Sequence, residues 1–95
     1  MNVAEVAKMT IPELIDLECQ NLAEMLKAKN RQYGNSFVDP VRIFSRVSPE
    51  EGLRIRIDDK LSRIARGDAA GEDTILDLAG YLILLRVLGR AEGKS

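Results

Sequence analysis

Asp73, Asp77 and Tyr81 stand four residues apart, the interval that lines side chains up along one face of an α-helix. Cβ atoms so spaced lie about 5–6 Å apart, close enough for two carboxylates to share one Mg²⁺ or bridge two, with a phenol beside them. Asp77 sits among Ile75, Leu76 and Leu78, which argues against a merely solvated position. A second acid shows the same anomaly upstream. On a helix starting at Ile11, with about 100° per residue, Leu22 falls at about 20°, Ile15 at about 40°, Met25 at about 320° and Leu14 at about 300°. Glu18 falls at about 340°, inside that apolar stripe, and Lys29 and Tyr33 continue it at about 0° and 40°. Lys60, between Leu53, Ile57 and Ile64, is also a charge aimed inward. Burying a charge is costly unless it is paired, hydrogen-bonded or bound to a metal, so each of these positions asks for a partner.

Two kinds of partner satisfy that demand. Asp73 and Asp77 serve either as a polar site or as a helix-start charge and a structural salt bridge. A Glu18–Lys60 ion pair between helices satisfies both residues without any chemistry. Arg56, Asp59 and Arg63 have the spacing of a surface network. The stretch from Lys27 to Ser36 gathers Lys27, Lys29 and Arg31 beside a turn, where they either receive phosphates or complement the negative end of a helix dipole. Cys19, at the edge of the stripe, reads as a small core residue.

Positioning these side chains takes three main helices, predicted at about residues 11–33, 49–66 and 72–88, in a single all-α domain spanning 1–95. Thr10-Ile11-Pro12-Glu13 has the form of a capping box with proline in the first turn, and Gly34 supplies the stop. Ser48-Pro49-Glu50-Glu51 repeats the start signal and Gly67 the stop. Glu72 and Asp73 suit the positive end of the third helix, and Gly89 is expected to close it. That helix has hardly any polar face, which normally means burial on every side. Three helices cannot surround a further element completely, so the bundle is expected to be completed by a homo-oligomer, dimer or tetramer. Asp39-Pro40 is a candidate helical turn in the long connection that carries Phe37, Val38, Val41, Ile43 and Phe44. Residues 1–9 and 91–95 are expected to be peripheral, the first a short amphipathic turn and the last frayed.

Composition excludes much else. With 95 residues, the chain buries only about 60–65% of the surface it exposes unfolded, so its stability alone is small. Histidine count is 0 and cysteine count 1, which rules out histidine bases, Ser-His-Asp or Cys-His pairs, histidine-ligated metal and a disulfide framework within one chain. Fourteen basic residues against 15 acidic give a net charge of -1, without the bulk attraction that nucleic acid polymers require. The longest uncharged run, Leu78 to Leu85, is far below the roughly 20 residues of a membrane span, and Glu5 and Lys8 interrupt any signal-peptide pattern. A cytoplasmic protein with no membrane role is the expectation, in the producing or the infected cell.

Asn30-Arg31-Gln32-Tyr33-Gly34, then Arg56-Ile57-Asp58-Asp59-Lys60-Leu61-Ser62-Arg63-Ile64, then Glu72-Asp73-Thr74-Ile75-Leu76-Asp77-Leu78-Ala79-Gly80-Tyr81 together resemble a group of small, mostly phage-encoded proteins. That group is similar to the MazG-like branch of the all-α nucleoside triphosphate pyrophosphohydrolases, and the resemblance covers residues 11–88. It implies an oligomerising helical bundle with a nucleotide pocket between helices, where Glu-x-x-Glu and Glu-x-x-Asp motifs hold Mg²⁺, or Mn²⁺, against phosphates. Asp77 matches the final acid of the second motif; Thr74 stands where its Glu belongs, with Asp73 one position earlier as the substitute. Glu18 matches one acid of the first, while Ile15 and Asn21 occupy the positions three away. The roles expected on that reading are metal binding and catalysis for Glu18, Asp73 and Asp77, phosphate contacts for Lys29, Arg31 or Lys60, base or sugar contacts for Tyr81 or Asn21, and ligand binding for Tyr33. The implied reaction converts a (deoxy)nucleoside triphosphate to monophosphate and pyrophosphate. Two other functions fit the residues: a non-catalytic nucleotide-binding module that relies on the cations of Lys27–Arg31, and a phage-encoded oligomer that binds a host protein through Phe37, Val38 and Phe44.

Overall fold

Thr10 turns the chain into its longest helix. The Thr10 hydroxyl accepts from the Glu13 amide at 3.3 Å, and the Glu13 carboxylate accepts from the Thr10 amide at 3.0 Å and from its hydroxyl at 2.8 Å, so both ends of the capping box close. The computed structural model describes residues 2–34 and 47–91, which form four helices and no strand: α1 (Val3–Ala7), α2 (Ile11–Tyr33), α3 (Pro49–Arg66) and α4 (Thr74–Ala91). Ser48 caps α3 by accepting from the Glu51 amide at 3.1 Å. Gly34 and Gly67, at φ 58° and 76°, end α2 and α3 in the left-handed conformation that residues with a Cβ adopt at a cost. The first two main helices therefore stand where their start and stop residues place them. The short amphipathic turn expected within residues 1–9 is the single-turn helix α1. The expected Asp39-Pro40 turn, the apolar residues from Phe37 to Phe44 and the frayed end beyond Ala91 lie outside the described residues.

The third main helix departs from its expected limits of 72–88 at both ends. Glu72 stays ahead of α4 because its carboxylate is drawn to Lys60 and Arg63. Asp73 takes the capping position, accepting from the Leu76 amide at 3.0 Å. At the other end, Gly89 remains helical, since glycine stops a helix only by adopting a left-handed φ and Gly89 does not. Burial of Leu88, 1% exposed, holds that last stretch in place.

Joined by residues 67–73, α3 and α4 form a helical hairpin. Leu53, one turn into α3, and Leu88, one turn from the end of α4, are the buried apolar side chains among the described residues, as the facing ends of an antiparallel pair require. α2 lies on the other flank of α4 and packs closely against Gly80. A Cβ at Gly80 would stand 3.2 Å from Leu26 Cδ2, 3.4 Å from Met25 Cε and 3.8 Å from Leu22 Cδ1. Alanine here gains helix propensity against a contact that flexible side-chain ends can relieve, whereas valine adds branches with nowhere to go. Gly80→Val is expected to cost about 1–3 kcal/mol and to part α2 from α4. Thermal unfolding reads the loss, and an unchanged midpoint would mean that the two helices do not meet at this position.

Beyond that crossing the layers separate. Ile11 and Ile15 are 69% and 56% exposed, so the first half of α2 lacks a covering layer among the described residues. Glu18 and Cys19 are consequently exposed, correcting the expectation of an interior Glu18 and a core Cys19; the stripe exists, but nothing within the described residues packs on it there. Nor is α4 covered all round: Ile75 and Leu82 are 81% and 54% exposed. The radius of gyration, 15.9 Å, exceeds the roughly 12 Å of a globule of this length.

Candidate functional site

Where α2 and α4 diverge they leave a cleft of about 530 Å³, within the size range of small-molecule sites. Glu18, Cys19, Asn21 and Leu22 form the α2 wall, and Asp73, Ile75, Leu76 and Ala79 form the other. Helical periodicity explains the α2 wall, because residues three and four apart project from one side. Capping explains Asp73: the extended residue ahead of α4 presents its carboxylate at the mouth of the cleft while one oxygen holds the Leu76 amide. The lining thus has an apolar floor, two acids on opposite walls, one amide and one thiol.

Asp77 belongs to a different constellation. Lys60 is 7% exposed, and its Nζ donates to Glu72 Oε2 at 2.5 Å and to Asp77 Oδ2 at 3.1 Å. Arg63 donates to the second Glu72 oxygen. Hydrogen bonding to Lys60, reinforced by Arg63 and opposed by desolvation, holds the Glu72 carboxyl below its usual range. The Lys60 ammonium is raised by Glu72 first and Asp77 second, against the desolvation that favours its neutral form. The network pins the middle of α3 to the start of α4.

Several expected site residues are therefore separated. Asp73 and Asp77 share a helix face but not a ligand: Asp73 lines the cleft and Asp77 turns to Lys60. Lys60 pairs with Glu72 and Asp77 rather than with Glu18. Arg63 bonds Glu72, and neither Arg56 nor Asp59 forms an ion pair among the described residues. Lys29 and Arg31 are exposed near the end of α2, away from the cleft lining, and Tyr81 is half-buried outside it. Tyr33 closes α2 in the backbone, and its side chain lies outside the described part. Glu18, Asn21 and Asp73 are the expected site residues that come together. Glu72 and Cys19 are the residues whose places sequence reasoning missed. A negative charge ahead of a helix was visible at Glu72, but the loop geometry that aims it at Lys60 was not.

Hard carboxylate oxygens at Glu18 and Asp73 are the donor type that Mg²⁺ takes. No group of three or more acidic or sulfur ligands gathers among the described residues. Mg²⁺ is commonly held by one or two carboxylates together with substrate phosphates, a smaller demand than a group of three protein ligands. No described helix is long and apolar enough to cross a membrane. Neither a protein-family model, nor a curated protein, nor a solved structure matches the chain.

Proposed function

We propose that the protein is a Mg²⁺-dependent nucleotide pyrophosphohydrolase of the MazG-like kind, which takes a (deoxy)nucleoside triphosphate in the α2–α4 cleft and adds water across its α–β phosphoanhydride. The observation that carries this reading is the convergence of Glu18 and Asn21 from α2 with Asp73, the residue that caps α4, on one cleft. Glu18 and Asp73 would hold Mg²⁺, which neutralises phosphate charge and acidifies a bound water. Asn21 offers both donor and acceptor atoms to a sugar or base edge, and Leu22, Leu76 and Ala79 give that part of the ligand an apolar surface. Water joins the α-phosphorus, the bond to the bridging oxygen breaks, and pyrophosphate leaves the monophosphate behind. Asp77 holds the wall in place through Lys60 and takes no part in this ligand set.

The same ion pair favours a second reading, in which the cleft binds a nucleotide and does not cleave it. Its commitment to Lys60 leaves the cleft two acids rather than three. One experiment separates the two: purified protein is incubated with the common ribo- and deoxyribonucleoside triphosphates and Mg²⁺ or Mn²⁺, while calorimetry follows binding. Pyrophosphate release that falls at least about a hundredfold in Asp73→Asn and in Glu18→Gln is the expected result for metal-assisted catalysis. Binding without release would transfer the cleft to the second reading. If nucleotides neither bind nor react, both fail.

A further inference from the structure

Glu72 and Asp73 are consecutive, yet they serve opposite sides of the molecule. The Glu72 carboxylate is held from α3, where Lys60 Nζ donates to Oε2 at 2.5 Å and Arg63 donates to Oε1. The Asp73 carboxylate serves the cleft that α2 closes, while its Oδ1 accepts from the Leu76 amide at 3.0 Å. None of the residues lining that cleft comes from α3. The helix that grips Glu72 is therefore absent from the site into which the next residue points.

The backbone on either side of this pair is settled locally. Gly71 takes a left-handed φ of 83°, and the Glu72 amide closes the turn by donating to the Ala69 carbonyl at 3.1 Å. Beyond the pair, the Asp77 amide donates to the Asp73 carbonyl at 3.0 Å and opens the ladder of α4. Neither bond spans the ψ of Glu72 or the φ of Asp73, the two soft dihedrals that decide where the Asp73 carboxylate points. What restrains them is the grip on Glu72. A carboxylate held on both oxygens by cations turns only by breaking a charge-assisted hydrogen bond, roughly twice as strong as a neutral one. Lys60 is itself buried and held again by Asp77, so the grip is anchored in both helices of the hairpin.

We infer that Glu72 is a positioning residue of the cleft: clamped by Lys60 and Arg63, it aims its neighbour Asp73 into the cleft opposite Glu18, so that α3 sets the geometry of a site it does not line. Glu72 touches no ligand and acts through Asp73 alone. One oxygen of Asp73 is spent on the Leu76 amide, which leaves Oδ2 for whatever the cleft binds. That a nucleotide and its cation use this oxygen rests on the nucleotide reading of the cleft; the aiming of Asp73 does not.

Hydrogen exchange at the Leu76 amide, in the full chain without metal or nucleotide, is the test. A first-turn amide has no partner within its own helix, so Asp73 Oδ1 is what protects it. Asp73→Ala is expected to lower that protection roughly fivefold, the equivalent of about 1 kcal/mol for a lost cap. Glu72→Ala, which alters neither Asp73 nor Leu76, approaches the same loss, and Glu72→Gln, which keeps one acceptor oxygen, retains part of it. With Asp73→Ala already in place, Glu72→Ala changes Leu76 no further, because the path through Asp73 is gone. Unchanged protection in Glu72→Ala, or an equal loss with and without Asp73→Ala, overturns the proposal; the second result makes Glu72 a matter of hairpin stability only. Circular dichroism checks that each variant remains helical. Should Glu72→Ala unfold, Arg63→Met, which removes one of the two grips at a partly exposed position, decides by a smaller loss of the same kind. Calorimetry with Mn²⁺ and a nucleoside triphosphate carries the inference to the site. Glu72→Ala weakens that binding about tenfold, the lower end of what partners outside the ligand set cost, and does nothing further to Asp73→Asn. Binding that Glu72→Ala leaves intact overturns the role of Glu72 at the site. A wild type that binds no nucleotide defeats the nucleotide reading instead, and exchange at Leu76 still decides whether Glu72 aims Asp73.

Discussion

Lys60→Met lowers the thermal midpoint more than Glu72→Gln or Asp77→Asn does, because Lys60 is the single donor to both carboxylates. Without it Glu72 keeps Arg63, while Asp77 loses its ion-pair partner on a partly buried wall. Removing one member of such a set leaves an uncompensated charge, whereas removing the opposing charges together is far better tolerated. Lys60→Met with Asp77→Leu is therefore expected to regain part of what Lys60→Met loses, and a double variant no better than the single would contradict the pairing. Acidity supplies an independent signature. Glu72 titrates below its ordinary 4.5 in the folded chain, so its contribution is complete above that value and is lost as pH falls through the depressed folded value. The Lys60 contribution has the opposite sign: it is complete below 10.5 and is lost as pH rises through the raised folded value. The gap between wild type and Lys60→Met should thus be widest near neutrality and should narrow under acid. Glu13, lowered by the Thr10 amide and hydroxyl, adds a second acid-labile contribution that Lys60→Met leaves intact, so unfolding at matched pH separates the two.

Local rules explain how much of this architecture was legible in the sequence. Thr10 with Glu13 and Ser48 with Pro49 mark helix starts through bonds made within four residues, and Gly34 and Gly67 mark stops through their own backbone preference. Such signals do not depend on what the helix packs against. Gly89 does, since whether it ends α4 or is carried through depends on the burial of Leu88. Lys60 was readable as an inward charge because its helix neighbours are apolar, but its partners were not: Glu72 lies in a connection whose path periodicity does not describe. The α2 stripe shows the same limit. Periodicity places Ile11, Ile15 and Glu18 on one side, yet a shared side is buried only if another layer reaches it, and α4 crosses α2 at Gly80, beyond them. The cleft exists because of that early divergence. A face of α2 that looked like core with a misplaced acid becomes one wall of a site, with the same residues and a different neighbour.

The second large effect concerns the two residues that are core. Leu53→Ala and Leu88→Ala are each expected to cost about 3 kcal/mol, the usual loss for a fully buried leucine that leaves a cavity. At about 4–8 °C per kcal/mol for a domain of this size, either change lowers the midpoint by more than about 10 °C. Ile55, 50% exposed on α3, provides the contrast, and Ile55→Ala should shift it by only a small fraction of that. Protein concentration distinguishes this core from any contact with a second subunit, which the apolar composition of α4 leads one to expect. An associated chain unfolds at a midpoint that rises with concentration, because dimerisation stabilises only the folded form. Leu53→Ala and Leu88→Ala weaken the fold inside each hairpin, so they move the whole curve down while its slope against concentration persists. Leu82→Asp, at a half-exposed position of α4, leaves the hairpin packed, and it removes the slope if a second subunit covers that face. If Leu53→Ala abolished the concentration dependence as completely as Leu82→Asp does, hairpin and interface would be one cooperative core rather than two.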